Sequence, residues 1–462
     1  MRTNSNTKPQ AASPQATLFV VSAVQFLTPF LASSVSVALP MIGREFEAGA
    51  AQLGFIQLIY ILAVSALLLP LGRFADIYGR KKVFLTGIFL ITAATTLITW
   101  SVNIELFIIF RFFQGAGAAM INSTSIAILT SVFSPEKRGK AMGFIIAFVY
   151  IGLAAGPLLS GFLITQLGWR WVFYAIIPLQ IAALLLTIFY LPGEWFGEKH
   201  AAFDLYGSMV YMLSLSGMVI GVSMLGKLDY SMMLAVFGTA GMVFFLYLQG
   251  KNPSPLIDIN LLKNNPVFAW NSLATLINYA ASFGVVFLFS LHLQEVIGLT
   301  AQQAGFVLIA QPLVQAVTAP MAGKLSDRYT PAIIATSGMF LCTIGLAMAA
   351  LITAETGIWQ IIAILVCMGL GFGFFSSPNM LMIMGSVEKK IYGVASSFIA
   401  TMRTLGMLVS MTIITLIIGK IMGNQTISAA NSQGFIQAMR IAFAIFTVMG
   451  MAGCIFSLGK KG

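Results

Sequence analysis

Residues 72–82 read GRFADIYGRKK, and five of these eleven residues are charged, in a chain whose charged fraction is 8%. A related stretch, GKLSDRYTP, occupies residues 323–331, about 250 positions later. Each stretch lies between two long apolar runs, so each is predicted to be a short loop at a membrane surface. A charged loop that occurs twice at this spacing indicates a chain built from two related halves.

The composition of the 462-residue chain indicates an integral membrane protein, because 58% of its residues are hydrophobic and its mean hydropathy is +0.93. Soluble domains have about 25% charged residues, so too few polar side chains are present here to cover a surface in water. The apolar runs are continuous rather than alternating, which predicts helices of about 20 residues that satisfy their own backbone in lipid. The predicted fold class is therefore an all-α integral membrane protein.

About fourteen transmembrane helices are predicted. In chain order they lie near residues 17–42, 52–71, 83–101, 106–131, 140–164, 169–191, 205–226, 231–249, 266–292, 302–322, 332–353, 358–384, 392–419 and 435–458. The predicted domains are a disordered cytoplasmic tail (1–16), an N-terminal six-helix half (17–192), a linker with two inserted transmembrane helices (193–265), a C-terminal six-helix half (266–458) and a second cytoplasmic tail (459–462). Helices 7 and 8 have almost no polar residues, so we expect both at the periphery, facing lipid.

The lysine and arginine residues lie mainly in the loops on one side of these helices. This positive-inside pattern places that side and both termini in the cytoplasm. It also accounts for the net charge of +11 without a nucleic-acid partner. The three cysteines all lie inside apolar spans and are predicted to be packing residues.

Two further pairs of segments repeat at the same spacing. SPEKRGKAMG at 134–143 aligns with SVEKKIYGVA at 386–395, and QGAGAAM at 114–120 aligns more loosely with MGLGFGF at 368–374. A constant offset at three separate places is hard to obtain by chance. Two homologous halves around a central cavity are the architecture of a secondary transporter.

Three segments carry a resemblance to a known family. GRFADIYGRKKVF, between helices 2 and 3, resembles motif A of the major facilitator superfamily. RFFQGAGAA at 111–119 resembles its motif B, and GLAAGPLLSG at 152–161 resembles motif C, the antiporter motif. With VALP at the end of helix 1, the chain is similar to the fourteen-helix drug:proton antiporter family. The resemblance implies a major facilitator fold and multidrug efflux by proton antiport with alternating access, a route to antibiotic resistance.

The resemblance also implies the setting of the protein. We expect a multi-pass protein of a bacterial inner or plasma membrane, surrounded by membrane lipid and acting as a monomer. The proton gradient would supply its energy, without a cofactor or a metal site. Its partners would be protons and an amphipathic small-molecule substrate.

The motif A loop has the residues of a conformational latch. Gly72 and Gly79 permit a tight turn and a close helix approach. The Asp76 carboxylate can accept hydrogen bonds from Arg80 or face a helix N-terminus. Such a cluster would form when the cytoplasmic side is closed and break when it opens. A plain solvated loop with a topological charge bias is the alternative.

The second copy of this loop keeps a carboxylate and a guanidinium, at Asp327 and Arg328. It has Thr330 in the place of Gly79 and lacks the run of basic residues. We therefore expect a weaker latch in the C-terminal half.

Motif C places small residues along helix 5, at Gly152, Gly156 and Gly161, with Pro157 permitting a bend. Small residues let membrane helices approach closely. We expect helix 5 to pack here against the other half, with generic membrane packing as the alternative.

Two arginines lie inside apolar spans. A charge near the bilayer centre costs on the order of 2.5–3.5 kcal/mol, so such residues usually face a cavity and carry function. Arg111 is the motif B arginine, which the resemblance places, with Gln114, near the proton-coupling machinery. Arg403, in TMRTLGM on helix 13, matches a position that is often basic in fourteen-helix members. A side chain that reaches out to the headgroups is the alternative for either.

One departure from the family concerns helix 1, where many members carry an aspartate before VALP. This chain reads FLASSVSVALP there, and no Asp or Glu lies well inside any predicted span. Antiport needs a group that changes protonation state, normally a carboxylate or a histidine. Glu105 and Glu295 lie near helix ends, and His292 is a candidate with an interfacial role as its alternative. Two arginines without an acid favour neutral, zwitterionic or anionic substrates over lipophilic cations.

Polar residues inside the spans are predicted to line an amphipathic substrate cavity, because polar groups in a bilayer seek partners or water. The predicted cavity residues are Gln25, Ser33, Gln57, Tyr60, Asn122, Tyr150, Asn278, Tyr279, Gln311, Gln315, Asn379 and Arg403. The 25 methionines and 37 phenylalanines provide surfaces that can repack around varied ligands, although most of them would fill the core or face lipid.

Other functions stay open. One is a dedicated exporter or uniporter of one endogenous metabolite or lipid-like molecule. A membrane sensor without transport would need an output domain, for which no soluble segment is evident. A membrane enzyme is disfavoured because the sequence shows no Ser/His/Asp set, metal-ligand cluster or phosphate loop.

Overall fold

The computed structural model describes residues 13–199, 201–226, 229–252, 254–388, 392–427 and 431–457. All regular structure in these ranges is helical, and fourteen helices are long and apolar enough to cross a membrane. The prediction of an all-α membrane protein with about fourteen spans is confirmed. Most of the predicted N-terminal tail, the whole C-terminal tail, and Lys389, Lys390 and Ile391 of the repeat segment SVEKKIYGVA lie outside the described residues.

The helices keep the predicted order. They are α1 (Pro14–Glu45), α2 (Ala50–Tyr78), α3 (Arg80–Thr99), α4 (Ile104–Val132), α5 (Pro135–Leu167), α6 (Arg170–Tyr190), α7 (Leu205–Ser223), α8 (Ser231–Gln249), α9 (Pro266–Val296), α10 (Ala301–Leu325), α11 (Pro331–Ala350), α12 (Ile358–Gly385), α13 (Tyr392–Ile421) and α14 (Ser432–Ser457). A short helix, Ile259–Asn264, precedes α9. Several helices exceed the predicted spans, because a helix can continue past the end of its apolar stretch. Residues 14–16, assigned to the tail, belong to α1.

The two halves pack alike. In the N-terminal half α1 packs on α5, α2 on α4, and α3 on both α4 and α6. In the C-terminal half the corresponding pairs are α9 with α13, α10 with α12, and α11 with both α12 and α14. The halves meet where α2 contacts α13, α5 contacts α10 and α1 contacts α9. In the repeat, α2 corresponds to α10 and α5 to α13. The contact of α2 with α13 and the contact of α10 with α5 are therefore equivalent.

The loosest sequence repeat has a matching structural role in both halves. A Cβ added to Gly117 would lie 2.7 Å from the backbone nitrogen of Ile91 on α3, and one added to Gly371 would lie 2.5 Å from that of Cys342 on α11. Both distances are shorter than real Cβ contacts. Glycine at these two positions therefore allows α3 to meet α4, and α11 to meet α12, at backbone contact distance.

The inserted helices α7 and α8 pack against each other, but they differ in their other neighbours. Tyr211 on α7 is 2% exposed and donates a hydrogen bond of 2.9 Å to the Ser65 carbonyl on α2. α7 also packs against α13, so it lies beside the seam between the halves. The prediction that both inserted helices lie at the periphery applies to one side of α7, where Leu205, Met209 and Leu213 are exposed, whereas the side with Tyr211 packs against α2. Most of α8 is exposed.

Candidate functional site

The motif A turn forms at Gly79, between the end of α2 and the start of α3. Gly79 has a φ of +122°, which residues with a Cβ rarely adopt. An added Cβ would also lie 2.7 Å from the Glu194 carboxyl carbon. The backbone conformation at Gly79 thus favours glycine, and a Cβ there would also displace the Glu194 carboxylate. By contrast, a Cβ at Gly72 would make an ordinary 3.5 Å contact with Ser123.

The Asp76 carboxylate and the Arg80 guanidinium form an ion pair. Both Nε and Nη2 of Arg80 lie 2.7 Å from Asp76 Oδ1. Arg80 Nη1 donates to the Ala127 carbonyl at 3.0 Å and to Ser131 Oγ at 2.7 Å. One arginine therefore joins the ends of α2 and α3 to the end of α4, all within the N-terminal half.

The segment after α6 covers motif A; we call residues 194–198 the strap. Glu194 accepts backbone hydrogen bonds from Lys81 at 2.6 Å and Lys82 at 3.2 Å. It thus caps the free N–H groups of α3 and interacts favourably with the helix dipole. The Asp76 carbonyl accepts from Gly197 N at 2.9 Å and Glu198 N at 3.1 Å.

Two more bonds fix the strap. Arg80 N donates to the Trp195 carbonyl at 2.9 Å, and Arg73 pairs with Glu198 at 2.8 Å. Sequence reasoning missed the strap, although two acids in a short loop near the basic motif A residues were the available signal. Among the described residues, the bonds of Asp76 and Arg80 stay within the N-terminal half and the strap. The latch role assigned to them stays a prediction.

The second copy of the loop is held by backbone turns. Asp327 N donates to the Lys324 carbonyl at 3.2 Å, and Arg328 N to the Leu325 carbonyl at 3.0 Å. The side chains of Asp327 and Arg328 are exposed and form no ion pair with any described residue. Arg328 lies at the edge of a shallow cavity of about 430 Å³ between the ends of α10, α11 and α12.

Motif C faces two neighbours rather than one. Cβ atoms added to Gly152 and Gly156 would lie 2.6 Å from the Phe26 carbonyl and 3.0 Å from the Phe30 carbonyl, both on α1 of the same half. A Cβ at Gly161 would lie 2.6 Å from the Ala301 carbonyl on α10 of the other half.

The expectation that motif C packs against the other half therefore applies to its second part only. Gly152 and Gly156 are four residues apart and share one helix face. Pro157 and Gly161 lie on the neighbouring face, where the Pro157 carbonyl contacts Gly305 of α10. This stretch of α5 thus packs against both halves.

Arg111 is 0% exposed, so it does not reach the headgroups. Its Nη2 donates to Gln57 Oε1 at 3.0 Å, and its Nη1 forms a short hydrogen bond to Gln114 Oε1. Its guanidinium carbon lies 4.2 Å from the centre of the Tyr60 ring, a cation–π contact. Within the described part of the chain, the polar partners of this buried cation are neutral side chains.

The Arg111 contacts continue into a larger network. Gln57 Nε2 donates to Ser36 Oγ on α1 at 2.8 Å. Gln114 Nε2 donates to Thr95 Oγ1 on α3 at 2.9 Å, and Gln180 on α6 reaches the same hydroxyl at 3.3 Å. Side chains from α1, α2, α3, α4 and α6 therefore form one polar cluster in the N-terminal half.

The end of the bundle that holds Gly79 is called the motif A face, and the end that holds Arg44 the opposite face. At the opposite face the halves are bonded to each other. Ser290 Oγ donates to the Ser36 carbonyl at 2.7 Å, and Gln294 Nε2 to the Val37 carbonyl at 3.1 Å. Arg44 pairs with Glu295 at 3.0 Å. The opposite face is therefore closed.

α9 ends at this contact in a π-helical turn, His292–Val296. Such turns are rare and often lie at functional sites. His292 is buried, and both of its ring nitrogens lack a partner among the described residues. The other two candidates for protonation lie at the same face: Glu295 in the ion pair with Arg44, and Glu105 exposed in the first turn of α4.

A second polar cluster lies between the halves, near the middle of the bundle. The Arg403 guanidinium carbon is 6.0 Å from the centre of the Tyr279 ring, and that ring packs edge-on against Phe372 at 4.9 Å. Tyr150 on α5 interacts with Tyr279 and lies 3.4 Å from Ser376 Oγ on α12. A cation and two tyrosines therefore meet where the halves face each other.

The remaining predicted cavity residues are placed differently. Asn278 donates to the Met339 sulfur at 3.1 Å, and Asn379 to Thr275 Oγ1 at 2.8 Å. These two amides join helices within the C-terminal half, because an amide inside lipid is satisfied most readily by a neighbouring helix. Of the others, Gln25, Ser33, Gln311 and Gln315 are buried and Asn122 is half-buried.

Fold and site together define a two-half membrane carrier with polar residues between its halves, and comparisons with known proteins identify the family. The Major Facilitator Superfamily profile matches residues 21–411 and 271–460. The chain belongs to the major facilitator superfamily.

Three relatives illustrate its range. The chain is 30% identical to the riboflavin transporter RibZ of Clostridioides difficile (strain 630), over 84% of this chain and 84% of the relative. It is 27% identical to the uncharacterized transporter YebQ of Escherichia coli (strain K12), over 85% of this chain and 86% of the relative. It is also 27% identical to the multidrug resistance protein Stp of Mycobacterium tuberculosis (strain CDC 1551 / Oshkosh), over 80% of this chain and 70% of the relative.

Proposed function

We propose that the protein is a secondary active transporter that exports amphipathic small molecules in exchange for protons, by alternating access. One observation carries this proposal. At the opposite face, hydrogen bonds and an ion pair join the two halves, whereas the described bonds of Asp76 and Arg80 at the motif A face stay within the N-terminal half and the strap. Two similar halves bonded at one face are the arrangement that rocking transport requires.

The proposed orientation places the motif A face and both termini in the cytoplasm of a bacterial cell, because the basic loops lie at that face. The described state would then receive substrate from the cytoplasm. The protein is proposed to work as a monomer within the lipid, driven by the proton gradient and without a cofactor or catalysis.

The substrate class follows from the cluster between the halves. Arg403 lies beside Tyr279, and no acid lies well inside any predicted span. Such a site repels a lipophilic cation and suits neutral, zwitterionic or anionic compounds with an aromatic part. The similarity to the multidrug resistance protein Stp supports an export role for several substrates rather than one.

A second candidate is transport of a riboflavin-like compound. The observation that favours it is the similarity to a riboflavin transporter over most of both chains. The edge-on pair of Tyr279 and Phe372 offers aromatic surface to a flat ring. Under this candidate, one flat, hydrogen-bonding compound would be transported and unrelated drugs would not.

His292 is the proposed proton-carrying group, because it is a titratable side chain inside a span, buried at the contact between the halves and without a partner among the described residues. The charged groups near it on α1 and α9 are Arg44 and Glu295, which pair with each other. We expect His292→Asn to abolish substrate-driven proton movement while leaving substrate exchange across the membrane. Unchanged proton movement in this variant would place coupling elsewhere.

The test of the main proposal is transport in liposomes that report internal pH. The panel holds an anionic, a zwitterionic and a cationic amphipathic compound together with riboflavin. We expect the first two to trigger proton flux and Arg403→Ala to lower their flux about tenfold, the effect of losing a contact to a charged group. Arg440→Ala is the matched control, because Arg440 is exposed on α14 and donates to the Ala350 carbonyl.

The other outcomes select among the alternatives. Preference for the cation would contradict the charge argument, and flux of riboflavin alone would favour the second candidate. Substrate movement without protons would indicate a uniporter. The absence of movement for every compound would favour a sensor.

A further inference from the structure

We propose that Gln57 is a positioning residue that links buried Arg111 to the contact between the halves at the opposite face. This inference rests on the proposed alternating access. Gln57 is 3% exposed, and both ends of its amide are bonded, one to Arg111 and the other to Ser36. Gln57 therefore acts between two other groups rather than as a lining residue of an open cavity.

The direction of the Gln57 amide is fixed by chemistry. A guanidinium has only donors, so the amide oxygen must face Arg111 and the amide nitrogen must face Ser36. The same reasoning fixes Gln114, whose oxygen faces Arg111 and whose nitrogen faces Thr95. Arg111 thus dictates which group Gln57 presents to α1.

Ser36 connects this network to the other half. Its hydroxyl accepts from Gln57 at 2.8 Å, and its backbone carbonyl accepts from Ser290 Oγ at 2.7 Å. Gln294, one turn further along α9, donates to Ser290 Oγ at 3.1 Å and to the neighbouring Val37 carbonyl at 3.1 Å. The bonded chain therefore runs from Arg111 through Gln57 and Ser36 to α9.

Because the hydrogen-bonded series from Arg111 to α9 is buried, the loss of a partner at either end is costly. All of its side chains are buried, and a buried donor or acceptor that loses its partner costs more than the same group in water. When the opposite face opens, Ser290 must leave the Ser36 carbonyl. The Gln57 amide holds Ser36 in the position that accepts Ser290, so Gln57 favours the closed state as long as Arg111 holds its oxygen.

The test measures opening of the opposite face directly. Spin labels are placed at Val102 and Trp359, which are 78% and 83% exposed on the two halves, after Cys342, Cys367 and Cys454 are changed to alanine. The distance distribution then gives the fraction of molecules with this face open. No substrate or pH gradient is needed.

Three single variants remove successive bonds. Ser290→Ala removes the bond between the halves. Ser36→Ala removes the hydroxyl that accepts from Gln57 at 2.8 Å, leaving only the Ala32 carbonyl at 3.5 Å among the described acceptors, but keeps the carbonyl that binds Ser290. Gln57→Met keeps the length of the side chain but lacks both the acceptor for Arg111 and the donor to Ser36. We expect each to raise the ratio of open to closed molecules about fivefold, the effect of one hydrogen bond.

The decisive comparison is the double variant. Ser36→Ala combined with Gln57→Met should open the face no more than Gln57→Met alone, because Ser36→Ala removes a bond that Gln57→Met has already removed. Ser65→Ala is the matched control, since Ser65 is buried on α2 and its hydroxyl lacks a partner among the described residues. We expect this control to leave the distances unchanged.

Two results would overturn the inference. One is an unchanged distance distribution in both Ser36→Ala and Gln57→Met while Ser290→Ala opens the face. The other is a double variant whose effect is the product of the two single effects. Either result could occur in a protein that still transports. If the single and double variants open the face as expected but the protein transports nothing, the proposed function alone is contradicted. A positioning role also predicts that Ser36→Ala changes the maximal transport rate and leaves KM unchanged.

Discussion

The charged loop at Gly79 and its copy at Thr330 occupy equivalent places in two halves that pack alike, yet different bonds hold them. At the first loop a glycine with positive φ, the Asp76–Arg80 pair and the strap act together. At the second loop, Asp327 is exposed, and α11 starts with Pro331. Proline at the first helical position lacks the N–H group that α3 has at Arg80, where it donates to the Trp195 carbonyl.

This difference between the two loops shows how the segment inserted between the halves contributes to the motif A face. The strap leads directly from the N-terminal half into α7, whose N-cap is Asp204. The end of α6, motif A and the inserted pair are therefore bonded into one unit at the motif A face. The repeat places the same loop in both halves, and among the described residues the strap bonds to the first copy alone.

The largest effect that separates the two loops is expected at Gly79. Gly79→Ala would force an alanine into a positive-φ conformation and against Glu194, which costs about 1–3 kcal/mol. Thr330→Ala should change stability by less than about 0.5 kcal/mol. Thermal unfolding of the detergent-purified variants measures both, and equal losses at the two positions would show that the loops are not held differently.

The next effect concerns the cap of α3. Glu194→Ala should destabilise the protein by about 1 kcal/mol, as loss of a helix N-cap does. Glu194→Gln should recover part of this, since it keeps an acceptor but not the charge. Unfolding midpoints of the two variants give the comparison, and a Gln variant no better than the Ala variant would mean that the acceptor has no role.

A smaller effect on stability is expected at Asp76. Because the pair with Arg80 is partly exposed, Asp76→Asn should cost less than about 1 kcal/mol. Its effect on transport rate should be larger, several-fold, if the loop acts as a latch. Asp327→Asn serves as the matched change in the second copy, and a similar loss of rate there would contradict the predicted difference in latch strength.

The smallest effect is expected at Glu198. Its carboxylate is 62% exposed and pairs with Arg73, so screening by water and salt leaves at most about 0.5 kcal/mol. Glu198→Gln should therefore be nearly neutral, and the small difference should vanish in high salt. A loss that persists in high salt would indicate that the strap depends on this pair more than on its backbone bonds.

Hydropathy and charge predicted the fold well. Length and apolarity of the runs defined fourteen spans, and the repeated loops indicated two halves, because these features depend on local sequence alone. The spans around motif A were too short, since α2 continues to Tyr78 beyond its apolar stretch.

Contacts between distant segments were not predictable in the same way. Hydropathy says that a helix lies in lipid but not which helix lies beside it, so it could not reveal the strap or the bond from Tyr211 to α2. Motif C was predicted to pack against one neighbour and packs against two, because its residues lie on two faces of α5. Arg111 was predicted to be functional from its position in an apolar span, but its neutral partners, Gln57 on α2 and Gln114 on its own helix, are set by packing.

The most direct test of the account measures both faces in the same molecule. One label pair reports the opposite face, at Val102 and Trp359, and another the motif A face, at Lys82 and Tyr329. Alternating access predicts that a transported compound added under a pH gradient increases the first distance and decreases the second. Distances that change together, or a motif A face that stays fixed while the opposite face opens, would contradict alternating access by these two halves.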